Sequence, residues 1–283
     1  MSALEAVLET KLECSPENVG RAFSLAADQY DHYAALQLRV AGQLLSSLLK
    51  ECSRQFSSVT RILDVGCGTG LLAEALALLF PKADIVAIDV AEGMVRVAQQ
   101  RLAGYSSIHV CQADAMQSLT HLGKFDLVVS SFTLHWCGTP QRWLRRLSEV
   151  VVPGGGLLLA MPTAGSLSVL RQAWQQVDDE CHVNTFPEVA AVQEAIERLS
   201  LTRLSSGVME WRQFYSSLKS LLYALKAMGA NTVLDRRAAA GVASGLRGRT
   251  QWATLEAAFS NYVQGSHEPF VLDYRVWRGL LRL

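Results

Sequence analysis

The chain has no surplus of either charge, since 26 Lys and Arg stand against 26 Asp and Glu in 283 residues. That balance removes the basic footprint of a dedicated nucleic-acid binder and leaves only a local patch open, so no nucleic-acid partner is expected. Its six cysteines (Cys14, Cys52, Cys67, Cys111, Cys137, Cys181) include no C-x-x-C pair. Zinc-ligand spacing and a disulfide framework are both missing, and the thiols read as small apolar residues of a reduced protein with no metal. A long hydrophobic run is absent too. The most apolar stretch, residues 150–161, is broken by Pro153 and three glycines. It falls short of the ~20 residues a spanning helix needs, so no membrane partner is expected. The opening MSALEAVLET lacks the basic-then-apolar order of a secretory signal, which makes the cytosol the expected compartment. No internal repeat or low-complexity segment is found.

What is present is apolar content, 50% of the residues, enough for a substantial core. Over residues 16–50 apolar side chains recur at helical spacing, first Phe23, Ala26, Ala27 and Tyr30, then Leu36, Val40, Leu44 and Leu48, which predicts two helices. A polar bridge at 57–60 leads into RILDVG, an apolar run that stops at glycine as a buried parallel strand does. Strands are then predicted at 62–65, 85–88, 108–112, 127–130 and 157–161, alternating with helices at 71–80, 91–102 and 140–150. That rhythm is a doubly wound α/β sheet. Beyond Met161 it changes to helical runs at 166–181 and 188–199, read as an insertion over the sheet. It ends with a strand at 202–209, a helix at 215–228 and a strand at 270–277.

The segment Asp64-Val65-Gly66-Cys67-Gly68-Thr69-Gly70-Leu71 sets three glycines at alternate positions between a strand and a helix. Glycine lets backbone approach a ligand closely at such a turn. A dinucleotide fingerprint would want a further glycine where Leu71 stands, which disfavours a nicotinamide cofactor. Asp89 ends the second predicted strand, 19 positions after Gly70 (89 − 70), where a carboxylate can accept from both ribose hydroxyls. Asp114 and Ala115 follow the third strand. Ser130 lies at the end of the fourth, ahead of Leu134-His135-Trp136, and Pro153-Gly154-Gly155 precedes the fifth.

In this order the segments resemble the motifs of class I S-adenosylmethionine-dependent methyltransferases. The resemblance implies S-adenosyl-L-methionine as cofactor. It places the methionine part at the loop of Asp64, Gly66, Gly68 and Gly70, the ribose at Asp89, the adenine at Asp114 and Ala115, and Ser130 beside them. It also implies a mostly parallel, seven-stranded, Rossmann-like sheet in a single domain: a helical lid (1–55), a cofactor-binding core (56–163), a helical insertion after strand 5 (164–200) and closing strands and helix (201–283).

Outside the core, Arg21-Ala22-Phe23, Tyr30-Asp31 and Tyr33-Ala34-Ala35-Leu36-Gln37 are similar to the N-terminal helix pair of malonyl-acyl-carrier protein O-methyltransferases of biotin synthesis. Gly165-Ser166-Leu167, Leu170-Arg171-Gln172-Ala173-Trp174, His182-Val183-Asn184 and Phe186 resemble that family's insertion, and the run from Leu225 to Ala230 its next helix. The family implies methylation of the free carboxylate of a malonyl thioester, carried by acyl-carrier protein or coenzyme A. Arg171 is the candidate to clamp that carboxylate. Tyr30 and Tyr33 on the lid could reach cofactor or substrate, and His135 is a candidate base or a packing residue at the rim. Arg142, Arg145 and Arg146 form a basic cluster suited to an acidic carrier. The chain departs from the family where Val189, Ala190 and Ala191 replace its Met, His and Asp. Two alternatives stay open: an enzyme acting on another small carboxylic acid or small molecule, and a catalytically silent methyltransferase-like binding protein. A monomer is compatible with the sequence, which leaves the oligomeric state open.

Overall fold

The computed structural model describes residues 16–56, 58–230, 248–260 and 270–283. Cys14, the side chain of Cys52, and Ser57 of the polar bridge lie outside the described residues. The chain opens with helices α1 (Pro16–Ala26), α2 (Tyr30–Tyr33) and α3 (Ala35–Gln55). It then alternates β1 (Arg61–Val65), α4 (Leu71–Leu79), β2 (Asp84–Asp89), α5 (Glu92–Arg101), β3 (Ile108–Gln112), β4 (Phe125–Ser131), α6 (Pro140–Ser148) and β5 (Val151–Pro162). The remainder is α7 (Ser168–Trp174), α8 (Val189–Arg198), β6 (Thr202–Tyr215), α9 (Leu218–Ala227), α10 (Arg249–Ser260) and β7 (Phe270–Arg282). Among the described residues no helix is long and apolar enough to cross a membrane.

The seven strands make one sheet in the order β3-β2-β1-β4-β5-β7-β6. Strands β1 to β5 are parallel, and β7 runs antiparallel to both β5 and β6. Burial explains the order. Ile62, Leu63 and Val65 of β1 and Leu127, Val128 and Val129 of β4 have no exposed surface, as expected of strands covered on both faces. One face is covered by α3, α4 and α5 through Val40, Leu44, Leu76 and Ala98. The other is covered by α6 and α8 through Trp143, Leu144, Val192 and Ile196. The strand order reverses between β1 and β4, and ligands of open α/β sheets bind in the crevice at the carboxyl ends of the strands there.

Several boundaries differ from the sequence reading. Strand β6 continues to Tyr215, paired with β7 along its length from Thr202↔Arg282 to Tyr215↔Phe270, so Tyr215 belongs to a strand and not to the following helix. The reason is that exposed and half-covered residues go on alternating through Trp211 and Phe214. The first insertion helix stops at Trp174, well before Cys181. Strand β5 starts six residues earlier than predicted, at Val151 (157 − 151). Helix α10 has no counterpart in the prediction; its buried Leu255, Ala258 and Phe259 join a third cluster with Leu170 and Ala173 of α7.

Helices α1 and α2 lie across the ends of β1 and β2. Gly93 of α5 meets α1 so closely that a Cβ there would sit 2.3 Å from the Ser24 carbonyl oxygen, and its N–H donates to Ser24 Oγ at 3.1 Å. Gly93→Val is therefore expected to lever α1 away at a cost of about 1–3 kcal/mol. Chemical denaturation would read that loss, and limited proteolysis would show faster cutting in α1; an unchanged midpoint and cleavage rate would refute the close contact.

Candidate active site

The glycine loop turns against β2. The N–H groups of Gly66 and Cys67 donate to the Ile88 carbonyl at 2.8 and 2.9 Å, and that of Gly68 donates to Asp89 Oδ2 at 2.9 Å. Asp89 Oδ1 accepts from Ala91 N–H at 2.8 Å. The three glycines all have positive φ (72°, 54° and 87°), but their surroundings differ. A Cβ on Gly66 would fall 2.0 Å from Thr133 Oγ1, and one on Gly70 would fall 2.9 Å from Leu102 Cδ1. A Cβ on Gly68 would meet nothing within 4 Å. Gly66 and Gly70 are packing constraints, whereas Gly68 leaves space for a ligand.

That space is a cleft of about 780 Å³, lined on the sheet side by Gly66, Gly68, Asp89, Asp114, Ala115 and Ser131. Its outer wall is aromatic: Phe23 and Tyr30 from the lid helices, Phe132, and Trp136, whose ring meets Phe23 edge-on at 5.6 Å. Asp114 Oδ1 accepts from Met116 N–H at 2.8 Å, which fixes the turn bearing Ala115. A smaller recess of about 490 Å³ adjoins it, sharing Tyr30, Gly66, Gly68 and Ser131 and adding Asp64, Gln37 and Thr69. Three buried oxygens of this recess have no partner among the described residues: Gln37 Oε1, Asp64 Oδ2 and Ser131 Oγ. Buried acceptors left unpaired are costly unless a ligand supplies donors. Burial, with Asp89 adding its charge, pushes the Asp64 carboxyl up to about 7. Asp89 is also raised by burial, but the N–H groups of Ala91, Gly68 and Val90 offset part of that.

Helix α2 is clasped to this loop and to α5. Asp31 of α2 accepts from the buried Thr69 hydroxyl at 2.6 Å and pairs with Arg101 of α5 at 2.5 Å. Tyr30, beside it, lines both spaces, and burial with Asp89 and Asp31 nearby holds its phenol above the usual range. It stays a neutral donor.

Three expected site residues are placed elsewhere. Ser130 is fully buried and donates to the Val65 carbonyl at 2.8 Å, stapling β4 to β1. Side chains alternate along a strand, so it is the next residue, Ser131, that faces the cleft. His135 lines neither space. It packs against Trp136 and Phe186 at 5.1 and 5.7 Å, and burial lowers its pKa to about 3, so it is neutral and a poor base near neutral pH. Arg171 gives its guanidinium to two backbone carbonyls, Val183 at 3.0 Å and Asn184 at 2.6 Å. It clamps the insertion loop, not the cleft, and among the described residues no Arg or Lys lines either space. Sequence reasoning missed Gln37 and Ser131 as site residues. Gln37 stands seven positions before Leu44 (44 − 37), in line with the apolar stripe of α3, and a polar residue on that stripe was the available signal.

Arg171→Ala should remove both carbonyl bonds and destabilise the protein by about 1.5–3 kcal/mol, the range for hydrogen bonds to a charged group. Cofactor affinity should stay within about twofold, because no ligand contact is lost. Thermal unfolding and calorimetry check the pair of expectations, and a stable variant with lost substrate turnover would restore Arg171 to the substrate.

Comparison with known proteins agrees with this geometry. Residues 62–155, which span the loop, Asp89, Asp114 and β4, match the family model described as a methyltransferase domain. Malonyl-acyl-carrier protein O-methyltransferase of Alcanivorax borkumensis is 32% identical over 252 residues, covering 89% of this chain and 82% of that protein. The biotin biosynthesis bifunctional protein BioHC of Cellvibrio japonicus is 32% identical over 92% of this chain, which spans 49% of that longer protein. Among solved structures, the YcgJ protein of Bacillus subtilis has the same fold, with a TM-score of 0.56, 12% identity, and coverage of 85% of this chain and 98% of that one. A loop shaped for a ligand, acids at the ends of successive strands, and kinship over most of the chain converge: this is an S-adenosylmethionine-dependent methyltransferase of the malonyl-acyl-carrier protein O-methyltransferase family.

Proposed function

We propose that the chain esterifies the free carboxylate of malonyl-acyl-carrier protein to its methyl ester, a step of biotin synthesis carried out in the cytosol. The observation that carries this reading is the recess whose buried oxygens lack donors, next to a cleft that His135, the expected base, does not line. S-adenosylmethionine, when bound, supplies a sulfonium methyl to an oxygen nucleophile. Asp64, Gln37 and Ser131 would hold its ammonium end, Asp89 its ribose, and Asp114 with the Ala115 backbone its adenine. The loop glycines allow that approach.

A carboxylate nucleophile suits this site. It is already ionised near neutral pH, with a pKa of about 4, so attack needs no general base. What the residues supply is placement and dryness. Phe23, Phe132 and Trp136 exclude water, and the Tyr30 phenol is positioned to donate to one carboxylate oxygen. Such orientation is worth roughly 7–11 kcal/mol. Residues 1–55 act as the lid through α1 and α2, 56–163 as the cofactor-binding core, and 164–200 and 201–283 as insertion and closing segment of one domain. Arg142 and Arg145, exposed on α6, offer a docking face to an acidic carrier.

The decisive experiment incubates the purified protein with S-adenosylmethionine and malonyl-acyl-carrier protein, malonyl-coenzyme A or free malonate, with mass readout. A methyl ester should form fastest on the carrier thioester, at a rate flat from pH 6 to 9 under saturating cofactor. No ester on any malonyl thioester, or a steep rise through pH 7 that His135→Ala abolishes, would overturn the reading.

Asp64 gives a second test. An acid whose folded pKa lies above its unfolded value of about 4 holds its proton in the native state between about pH 4 and 7, so the ligand-free protein loses stability as pH rises through that window. Placing a cation beside Asp64 lowers its pKa again. Cofactor binding near pH 6 should therefore release about one proton, seen as a heat that varies with buffer ionisation enthalpy. Asp64→Asn should abolish that release; proton release that persists in the variant would assign it to another group.

A further inference from the structure

A separate cavity lies at the other end of α3. That helix reaches the cofactor recess through Gln37 and, ten residues and about 15 Å further on, turns Ser47 and Lys50 toward the sheet. Between it and strands β5, β6 and β7 is an opening of about 610 Å³. Its polar lining is Ser47 and Lys50 from α3, Ser205 and Ser206 from β6, and Arg278 from β7, over an apolar floor that includes Leu158. None of the residues lining it is acidic. The β6–β7 register slips between Arg203 and Ser205, and a bulge of this kind re-aims the residues beside it, here two consecutive serines.

Among the described residues no acidic side chain lines this cavity to pair with its charges. Arg278 Nη1 donates to Ser47 Oγ at 2.9 Å, while its Nε–H is buried with no acceptor. Lys50 stands at the mouth, exposed. A buried guanidinium N–H without an acceptor is unfavourable, and two positive charges between low-dielectric walls concentrate a field on an anion. A guanidinium fork, an ammonium and serine hydroxyls together match a tetrahedral oxyanion. We propose that this cavity binds a phosphate group, free or as a monoester, at a site independent of the cofactor cleft. Its occupancy ties α3 to β6 and β7 and so steadies the helix that carries Gln37.

The test is calorimetric titration of the full chain with inorganic phosphate and with glycerol 3-phosphate at constant ionic strength, with chloride as the control anion. One saturable site is expected with a dissociation constant below about 10 mM. Lys50→Met, a change on the surface, should weaken it about tenfold or more while leaving S-adenosylmethionine binding intact, and Arg278→Lys should weaken it further by losing the fork. Tighter binding of the ester than of free phosphate would show that the natural ligand carries its phosphate on a larger body; equal binding would point to the free ion. Absence of saturable binding, or affinity undiminished in Lys50→Met, would overturn the proposal without touching the methyltransferase assignment.

Discussion

The Asp89 carboxylate is the interaction on which the site depends. It draws the Gly68 N–H inward on one oxygen and the Ala91 N–H on the other, so a single side chain fixes the glycine loop after β1 and the entry to α5 after β2. Because the loop is held from β2, the cleft opens where the strand order reverses. From the ends of three different strands, Asp114 faces this cleft, Asp64 the adjoining recess and Ser131 both. Charge is what this arrangement accumulates. Asp64 and Asp89 repel one another and are both raised by burial, so the ligand-free protein stores an electrostatic imbalance that a cationic ligand relieves.

The parts of this arrangement that sequence made legible are those governed by local rules. The apolar run of β1, the three spaced glycines and the acids closing β1 and β2 follow from strand period and turn chemistry, and each sits where that logic placed it. Ser130 shows where such rules become brittle, since a shift of one residue along a strand exchanges a structural staple for a cleft residue. Arg171 was opaque for another reason. Its partners are main-chain carbonyls 12 and 13 residues away, whose position depends on the fold of the insertion, and no pattern of side chains announces them. The extra length of β6 was hidden because one of its faces is exposed and the other only half-covered, so apolar and polar residues do not separate cleanly between them.

The Arg171 guanidinium, spent on holding the Val183 and Asn184 carbonyls, ties the segment between α7 and α8 back to α7. His182 stacked at 3.7 Å on Trp174 and bonded to Asp178 at 2.7 Å stiffens the same loop. The side chains that line the cleft and recess are left neutral or acidic among the described residues, so on the proposed reading recognition of a substrate anion would fall to hydroxyls and the aromatic wall. Such a site discriminates by shape and desolvation more than by charge.

The clasp between Asp31, Thr69 and Arg101 joins α2 to the glycine loop through one hydroxyl contact and to α5 through one ionic contact. Helix α2 cannot move away without parting both. The ionic partners are 24% and 33% exposed, within reach of dissolved ions, whereas Thr69 is 2% exposed. Added salt therefore loosens one arm of the clasp and spares the other. The hold of α2 on the core is thus graded by ionic strength, through a residue pair that lines neither the cleft nor the recess.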